Sequence, residues 1–371
     1  MRVGVPKEIK THEFRVGLTP GAVREYVARG HEVLVETNAG AGIGAGDDVY
    51  VAAGAAIARD AAEVFARADM IVKVKEPQPS EWAQLREGQI LFTYLHLAPD
   101  PAQTRGLLDS GVTAVAYETV TDMAGGLPLL APMSEVAGRL SIEAAATALK
   151  SYTGGSGLLL GGVPGVAPAR VVVVGGGVVG VQAARMALGL GAEVSMLDRS
   201  IPRLRHLDEV FGGRVRTRYS TAEALEEEVV SADVVVGAVL IPGASAPKLV
   251  SRAMLKLMRR RAVLVDVSID QGGCFEMSRP TTHAEPTFEV DGVIHYCVAN
   301  MPGSVPKTSS YALNNATLPY GLALASEGIS AVLRDPGLLA GLSVHRGKLT
   351  SRAVAESLDL PFADPATALA A

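Results

Sequence analysis

Cysteine is almost missing from this 371-residue chain: Cys274 and Cys297 are its only two. Two thiols cannot build a disulfide framework for a chain this long, and no C-x-x-C spacing marks a zinc site. A reducing compartment, the cytoplasm, is the expectation. An excess of positive charge is missing as well. The 34 Lys plus Arg against 39 Asp plus Glu leave a formal net charge of −5. The run Arg259, Arg260 and Arg261 reads as a solvated helix end, so there is no electrostatic footprint for nucleic acid. Long apolar runs are absent too. The opening MRVGVPKEIKTHEFRVGLTP carries charge where a secretion signal needs an apolar core. The most apolar region, residues 158–181, is interrupted by Arg170, two prolines and many glycines. It would make a poor membrane helix, so neither nucleic acid nor membrane is expected as a partner.

What is present is glycine, 40 residues of it, in a chain that is otherwise 48% hydrophobic and 20% charged. Glycine is needed where backbone turns tightly or approaches a ligand closely. The length suits two domains rather than one core. Short apolar runs at 2–5, 32–36, 70–74, 90–95 and 112–116 predict strands, with amphipathic helices such as 21–29 and 101–110 between them. That alternation predicts βαβ units and parallel sheet covered by helices on both faces. A long Ala-rich helix follows over 134–150, with Ser134 as its expected cap and Glu135 in its first turn. After a Gly-rich loop a second series of strands is expected at 170–174, 193–197, 233–240, 262–269 and 293–299. A last helical stretch, about 313–339, has no strand series after it in this reading and is expected to return to the first domain. ADMIVKVKEP and ADVVVGAVLIPG echo one another loosely, as two similarly wound domains would. The expected fold is therefore α/β: two Rossmann-like doubly wound domains, the second inserted in the first. Residues 1–130 and 307–371 form one discontinuous domain and 131–306 the inserted one, with the cleft between such domains a common ligand site.

The motif VVVVGGGVVG places G-x-G-x-x-G at Gly175, Gly177 and Gly180. Alone it is weak in a glycine-rich chain. Four valines before it, a helical pattern after it and a second strand ending at Asp198 give it the context of a dinucleotide site. Gly175 permits the tight turn, Gly177 lets backbone approach the pyrophosphate, and Gly180 lets helix pack on strand. The phosphates would sit at a helix N-terminus, where free N–H groups favour anions. A carboxylate at Asp198 would accept the ribose hydroxyls and repel a 2′-phosphate, favouring NAD over NADP; Arg199 beside it softens that preference. Arg203 either flanks the adenosine or is a surface arginine of the next helix.

In doubly wound sheets ligands meet the carboxyl ends of strands. Arg15, Lys75, His96, Asp270, Asn300 and Met301 all fall at expected strand ends. His96 closes ILFTYLHLA, and a lone histidine in apolar surroundings is usually a satisfied core residue. Its company of two cations and a carboxylate at other strand ends points instead to proton transfer, for which imidazole is suited. Lys73 or Glu76 could stand in for Lys75. Asp266 could stand in for Asp270, which could equally cap the turn DQGG.

At these residues the chain resembles the alanine dehydrogenase family, the wider group that includes the nucleotide-binding half of proton-translocating transhydrogenase. The resembling stretches are MRVGVPKEIKTHEFRVGLTP, VKVKEP, FTYLHLA, LLAPMSEVAGRLS, GGVPGV, the glycine fingerprint, DVSIDQGGCFEMSRPTTH and YCVANMPGSVPKTSSYALNNATLPY. The resemblance implies NAD-dependent, reversible oxidative deamination of L-alanine to pyruvate and ammonium. It implies Arg15 and Lys75 as ligands of the substrate carboxylate, His96 as catalytic acid/base and Asp270 as its partner across the cleft. It places Ser134, Val178, Asp198, Arg203, Ser220, Leu240, Arg279, Asn300 and Met301 around the cofactor, and implies a homohexamer. Some relatives bind a divalent metal on the helix after NNATLPY; here the matching positions are Ala323 and Glu327, and no metal is expected. Gly176, Val178 and Val179 stand where relatives often have smaller or polar residues, which should shape the pyrophosphate turn. A dehydrogenase of the same fold acting on another small 2-amino or 2-oxo acid is the alternative. A hydride-transfer module would be expected to carry a membrane segment or partner chain beyond Ala371. A regulator that binds nucleotide without turnover has no use for Arg15, Lys75, His96 and Asp270 together.

Overall fold

A computed structural model describes residues 1–239 and 247–370. The chain forms two compact units, Met1–Met133 with Gly303–Ala371, and Ser134–Pro302. In the first, strands β1 (Arg2–Val5), β2 (Glu32–Glu36), β3 (Ala56–Ala58), β4 (Met70–Val72), β5 (Ile90–Thr93) and β6 (Thr113–Ala116) precede the second unit in sequence. The second holds β7 (Arg170–Val174), β8 (Glu193–Asp198), β9 (Arg216–Tyr219), β10 (Val234–Gly237), β11 (Val263–Asp266), β12 (Thr287–Val290) and β13 (Val293–Tyr296). Then β14 (Leu342–His345) and β15 (Lys348–Leu349) complete the first.

The first sheet runs β15-β14-β6-β5-β4-β1-β2-β3, and the second runs β12-β13-β11-β10-β7-β8-β9. When only the parallel strands of each unit are numbered, both have the doubly wound order 3-2-1-4-5-6, with an antiparallel addition at the edge next to the sixth. In such a sheet the strand order reverses beside the first strand, between β1 and β4 and again between β7 and β10, and ligands bind at that reversal. The sequence echo falls on the fourth strand of each unit, and a shared contact explains it. Asp69, just before β4, accepts the Arg2 N–H at 2.7 Å, and Asp233, just before β10, accepts the Arg170 N–H at 2.9 Å. Each carboxylate ties the start of its unit's first strand to the start of the fourth.

The central strands are apolar throughout, because helices cover both faces of the sheet. β7, β10 and β11 are buried along nearly their whole length. The flanking helices start where side chains can replace the missing backbone acceptors. Thr19 caps Pro20–Ala28, and Asp100 caps Pro101–Ser110, which ends at left-handed Gly111.

Several boundaries differ from the sequence expectation. The helix expected from 134 begins earlier, at Ala131, so Ser134 lies in its first turn and does not cap it. The stretch expected as one helix to 339 is three: Pro306–Glu327, Ile329–Arg334 and Pro336–Gly341. Gly328, at φ +59°, breaks the first from the second, and Asp335 recaps the third. Strands do follow: β14 pairs antiparallel with β6, and β14 and β15 form a hairpin. The hairpin turn is Arg346-Gly347, both at positive φ, as the twist of a two-residue turn requires. The helix Pro306–Glu327 grips the first unit through Asn314, which accepts the Thr19 N–H at 2.6 Å and donates to the Gly17 carbonyl at 2.9 Å.

Candidate functional site

The candidate residues of the first unit come from the turns after β1, β4 and β5, beside the reversal in strand order. Arg15 is buried against Glu13, which takes its Nε and Nη2 at 2.7 and 2.5 Å, while Nη1 lies 3.1 Å from Met133 Sδ. Its guanidinium is thus fixed in orientation by a charge-assisted bidentate pair. Lys75 is 12% exposed, its Nζ 3.5 Å from Glu76 Oε2. Lys73, the sequence-level alternative, is fully buried between Glu8 at 3.0 Å and Glu81 at 2.7 Å. That lysine neutralises a core, and Lys75 is the one open to a ligand. Glu8 also accepts the N–H groups of Val74 and Lys75, so the same buried cluster fixes the turn that carries Lys75. Glu76 pairs with Lys10 as well. Burial pushes the Glu76 carboxyl up, but Lys75, Lys10 and His96 outweigh it and hold the group down at about 2.

β5 ends at Thr93, two residues sooner than the apolar run suggested. Tyr94 and Leu95 remain buried, and the chain then turns at His96, a non-glycine residue at φ +48°. That turn brings the ring out of the core: its side chain is 41% exposed, so the reading as a satisfied core histidine fails. The imidazole stacks on Tyr94, centroids 5.8 Å apart and planes at 4°, and Tyr94 is anchored by its hydroxyl to the Leu129 carbonyl at 2.6 Å. Glu118, in the turn after β6, accepts the His96 N–H at 2.6 Å.

In the second unit the glycines separate by cause. Gly175 lies at φ +105°, a conformation L side chains rarely adopt. A Cβ on Gly180 would fall 1.9 Å from the Gly175 carbonyl oxygen, so helix and strand could not approach as they do. A Cβ on Gly177 would meet no protein atom within 4 Å. The protein's own packing does not demand glycine there, and the space left open lies at the N-terminus of the helix Val178–Gly189, where a pyrophosphate would fit. Gly177 is that helix's N-cap residue and Val178, its first residue, is exposed. Asp198 closes β8 and accepts the Gly176 and Ser200 N–H groups, each at 2.8 Å. Arg203 donates through Nε to the Gly176 carbonyl at 2.5 Å, so it braces the glycine turn and is not a detached surface residue. Ser220 follows β9 and donates its N–H to the Asp198 carbonyl at 3.0 Å. These contacts bring the glycine turn, Asp198, Arg203 and Ser220 together, a donor set that fits a dinucleotide.

Asp270 is exposed in the turn Ile269–Gln271 after β11, and accepts the Asn300 N–H at 3.4 Å. Asp266, the alternative carboxylate, is fully buried. It receives the N–H groups of Ser268, Cys274 and Phe275 and the Ser278 hydroxyl, and burial raises its pKa. Asp266 therefore ties down the loop that presents Asp270. Asn300 sits at φ +57°, and the Met301 side chain is buried in the unit's apolar core. Arg279 is exposed and stacks over Phe288 at 4.1 Å. Ser134 is half-buried. Leu240 lies outside the described residues.

Two family models span nearly the whole chain. Alanine dehydrogenase/PNT, N-terminal domain, matches residues 4–137, and alanine dehydrogenase/PNT, C-terminal domain, matches 141–352. The chain belongs to the alanine dehydrogenase/PNT family. Curated relatives named alanine dehydrogenase include one from Halomonas elongata, 60% identical over 99% of both chains, and one from Mycobacterium tuberculosis, 57% identical over the full length of both. Among solved structures, one described as L-alanine dehydrogenase is 50% identical with a TM-score of 0.94, covering 97% of this chain and 99% of that one. A transhydrogenase from Sinorhizobium meliloti is 25% identical with a TM-score of 0.80, covering 95% of this chain and 100% of that one. Glu13 and Glu118 belong to these polar sets although neither closes a strand. Glu13 was legible from its place in HEFR two residues before Arg15, and Glu118 from its place after the run TAVA.

Proposed function

We propose that the protein catalyses the NAD-dependent, reversible oxidative deamination of L-alanine to pyruvate and ammonium. What carries the reading is identity of 50–60% along essentially the whole chain to relatives named alanine dehydrogenase. NAD supplies the acceptor for the hydride lost from the substrate Cα. The glycine turn, Asp198, Arg203 and Ser220 would hold it, with Ser134, Val178, Leu240, Arg279, Asn300 and Met301 proposed around it.

The substrate carboxylate is assigned to Arg15 and Lys75. The pair with Glu13 keeps the planar guanidinium of Arg15 from turning away. Lys75 adds the second positive charge. His96 takes and returns protons while water adds and ammonia leaves, work that imidazole does near neutral pH. Asp270 orients the water and stabilises the cationic iminium by its charge. Two free, buried cysteines suit the cytoplasm, which together with a homohexameric assembly completes the proposal. Among the described residues no helix is long and apolar enough to cross a membrane.

The test is a panel of 2-oxo acids with NADH and ammonium. Pyruvate should give the highest kcat/KM, and a clear preference for a different acid would move the substrate assignment while leaving the reaction class intact. Absence of turnover with every acid, with NADH binding intact, would remove the enzymatic reading.

A further inference from the structure

The backbone of His96 is held by a carboxylate that the proposed chemistry does not use. Strands β5 and β6 are parallel neighbours with Thr93 paired to Ala116, so the chain leaving β6 arrives beside the turn leaving β5. There Glu118 Oε1 accepts the His96 N–H at 2.6 Å, and both Glu118 oxygens lie 3.2 Å from the Leu95 nitrogen. The shortest of these contacts falls on His96, whose backbone is in the left-handed region, and the others on the residue before it. An anionic acceptor makes a shorter and stronger hydrogen bond than a neutral one, which suits it to hold an unfavourable backbone conformation. The same Glu118 oxygen stands 3.9 Å from His96 Nδ1. Tyr94 stacks against the ring face, so the ring is held by backbone, by face and by charge.

We propose that Glu118 is the positioning residue of His96. It holds the left-handed turn that lifts the imidazole out of the core, and its charge on the Nδ1 side favours the imidazolium formed on proton uptake. Nε2 is thereby the nitrogen that exchanges protons with the reactants. Glu118 touches no reactant in this scheme and acts only through His96. The proposal rests on the assignment of His96 as the acid/base.

A double-mutant cycle tests it. Glu118→Gln keeps an acceptor for the backbone N–H groups and removes the charge. His96→Asn keeps the backbone donor in a residue that tolerates the left-handed conformation. In the parent background Glu118→Gln should lower kcat by ~10-fold or more, with pyruvate KM and NADH affinity changed less than about 3-fold, the signature of an interaction that serves the reaction rather than binding. In the His96→Asn background the same change should cost less than about 2-fold, because residues that act as a unit are non-additive. A purely structural role would lower kcat equally in both backgrounds, and that result, or unchanged kcat in the single variant, overturns the proposal. If Glu118→Gln does not fold, Glu118→Asp, too short to reach both backbone and ring, is read in the same cycle against the same thresholds. Parental turnover in His96→Asn alone would overturn the assignment of His96 and the role of Glu118 with it. Loss in His96→Asn with equal penalties from Glu118→Gln in both backgrounds would leave His96 in place and remove only Glu118.

Discussion

At the scale of single residues, the partners of a side chain decide whether it can meet a ligand. Lys73 and Lys75 are two apart on one strand end and indistinguishable by type, yet one ammonium is closed between Glu8 and Glu81 while the other reaches the surface. Asp266 and Asp270 separate in the same way, by burial. Pairing across 65 residues, as between Lys73 and Glu8, leaves no local mark in a sequence. Replacing His96 by Asn should lower kcat by at least ~10²-fold with NADH affinity retained; fluorescence titration and steady-state rates together check this. Glu76 bears on pH. Its folded-state carboxyl titrates at about 2 against an ordinary 4.5, so its ionised form stabilises the fold fully above 4.5, and that contribution fades as pH falls through about 2. The shift is worth on the order of 3 kcal/mol. Glu8 and Asp266 have raised values and act in the opposite sense, so a Glu76→Gln variant must be compared with its parent. Denaturant unfolding of both proteins at about pH 6 and about pH 3 should show a stability gap in favour of the parent that shrinks at the lower pH; a gap independent of pH would contradict the assigned ion pairs.

Among elements, the strands that lie inside a sheet were the most legible, because burial on both faces leaves an apolar run that only such a position demands. β1, β2 and β7 match their expected bounds residue for residue. Edge strands were not legible. β9 reads RTRY, and β12 reads TFEV with alternate residues exposed, so neither carries the apolar signature. The return strand β14 is short, and the Arg346-Gly347 turn is its one local signal. The glycine turn between β7 and its helix offers a separation that sequence cannot make. Gly180→Ala should lower both melting temperature and NADH affinity, since the added methyl meets backbone and overpacking typically costs ~1–3 kcal/mol. Gly177→Ala, which meets no protein atom, should leave the melting temperature nearly unchanged and still weaken NADH binding. Equal NADH affinity in Gly177→Ala and the parent would mean that no ligand approaches that backbone. Asp198→Ala should weaken NADH at least ~10-fold. Part of that loss would come from freeing the Gly176 and Ser200 N–H groups, so NADPH affinity, measured alongside, reports the ribose preference separately.

Across the whole molecule, one winding is used twice, and each copy places its polar set at the carboxyl ends of its strands. The echo between the two fourth strands was legible as a likeness that includes Asp69 and Asp233; their bonds to the Arg2 and Arg170 N–H groups were not. The pairing of β14 with β6 has a consequence for biosynthesis. A ribosome delivers residues 134–302 in full before it delivers the last strands of the first sheet, so the inserted unit can close while its host still waits. During that interval β6 presents an open edge, and exposed edges invite pairing with foreign strands. A chain truncated after Pro302 should therefore aggregate during expression, while residues 134–302 expressed alone should stay soluble and bind NADH; sedimentation and nucleotide titration measure both. The order in which the polypeptide leaves the tunnel would make the inserted unit the early folder and its host the late one, with β6 uncovered until the last strands emerge.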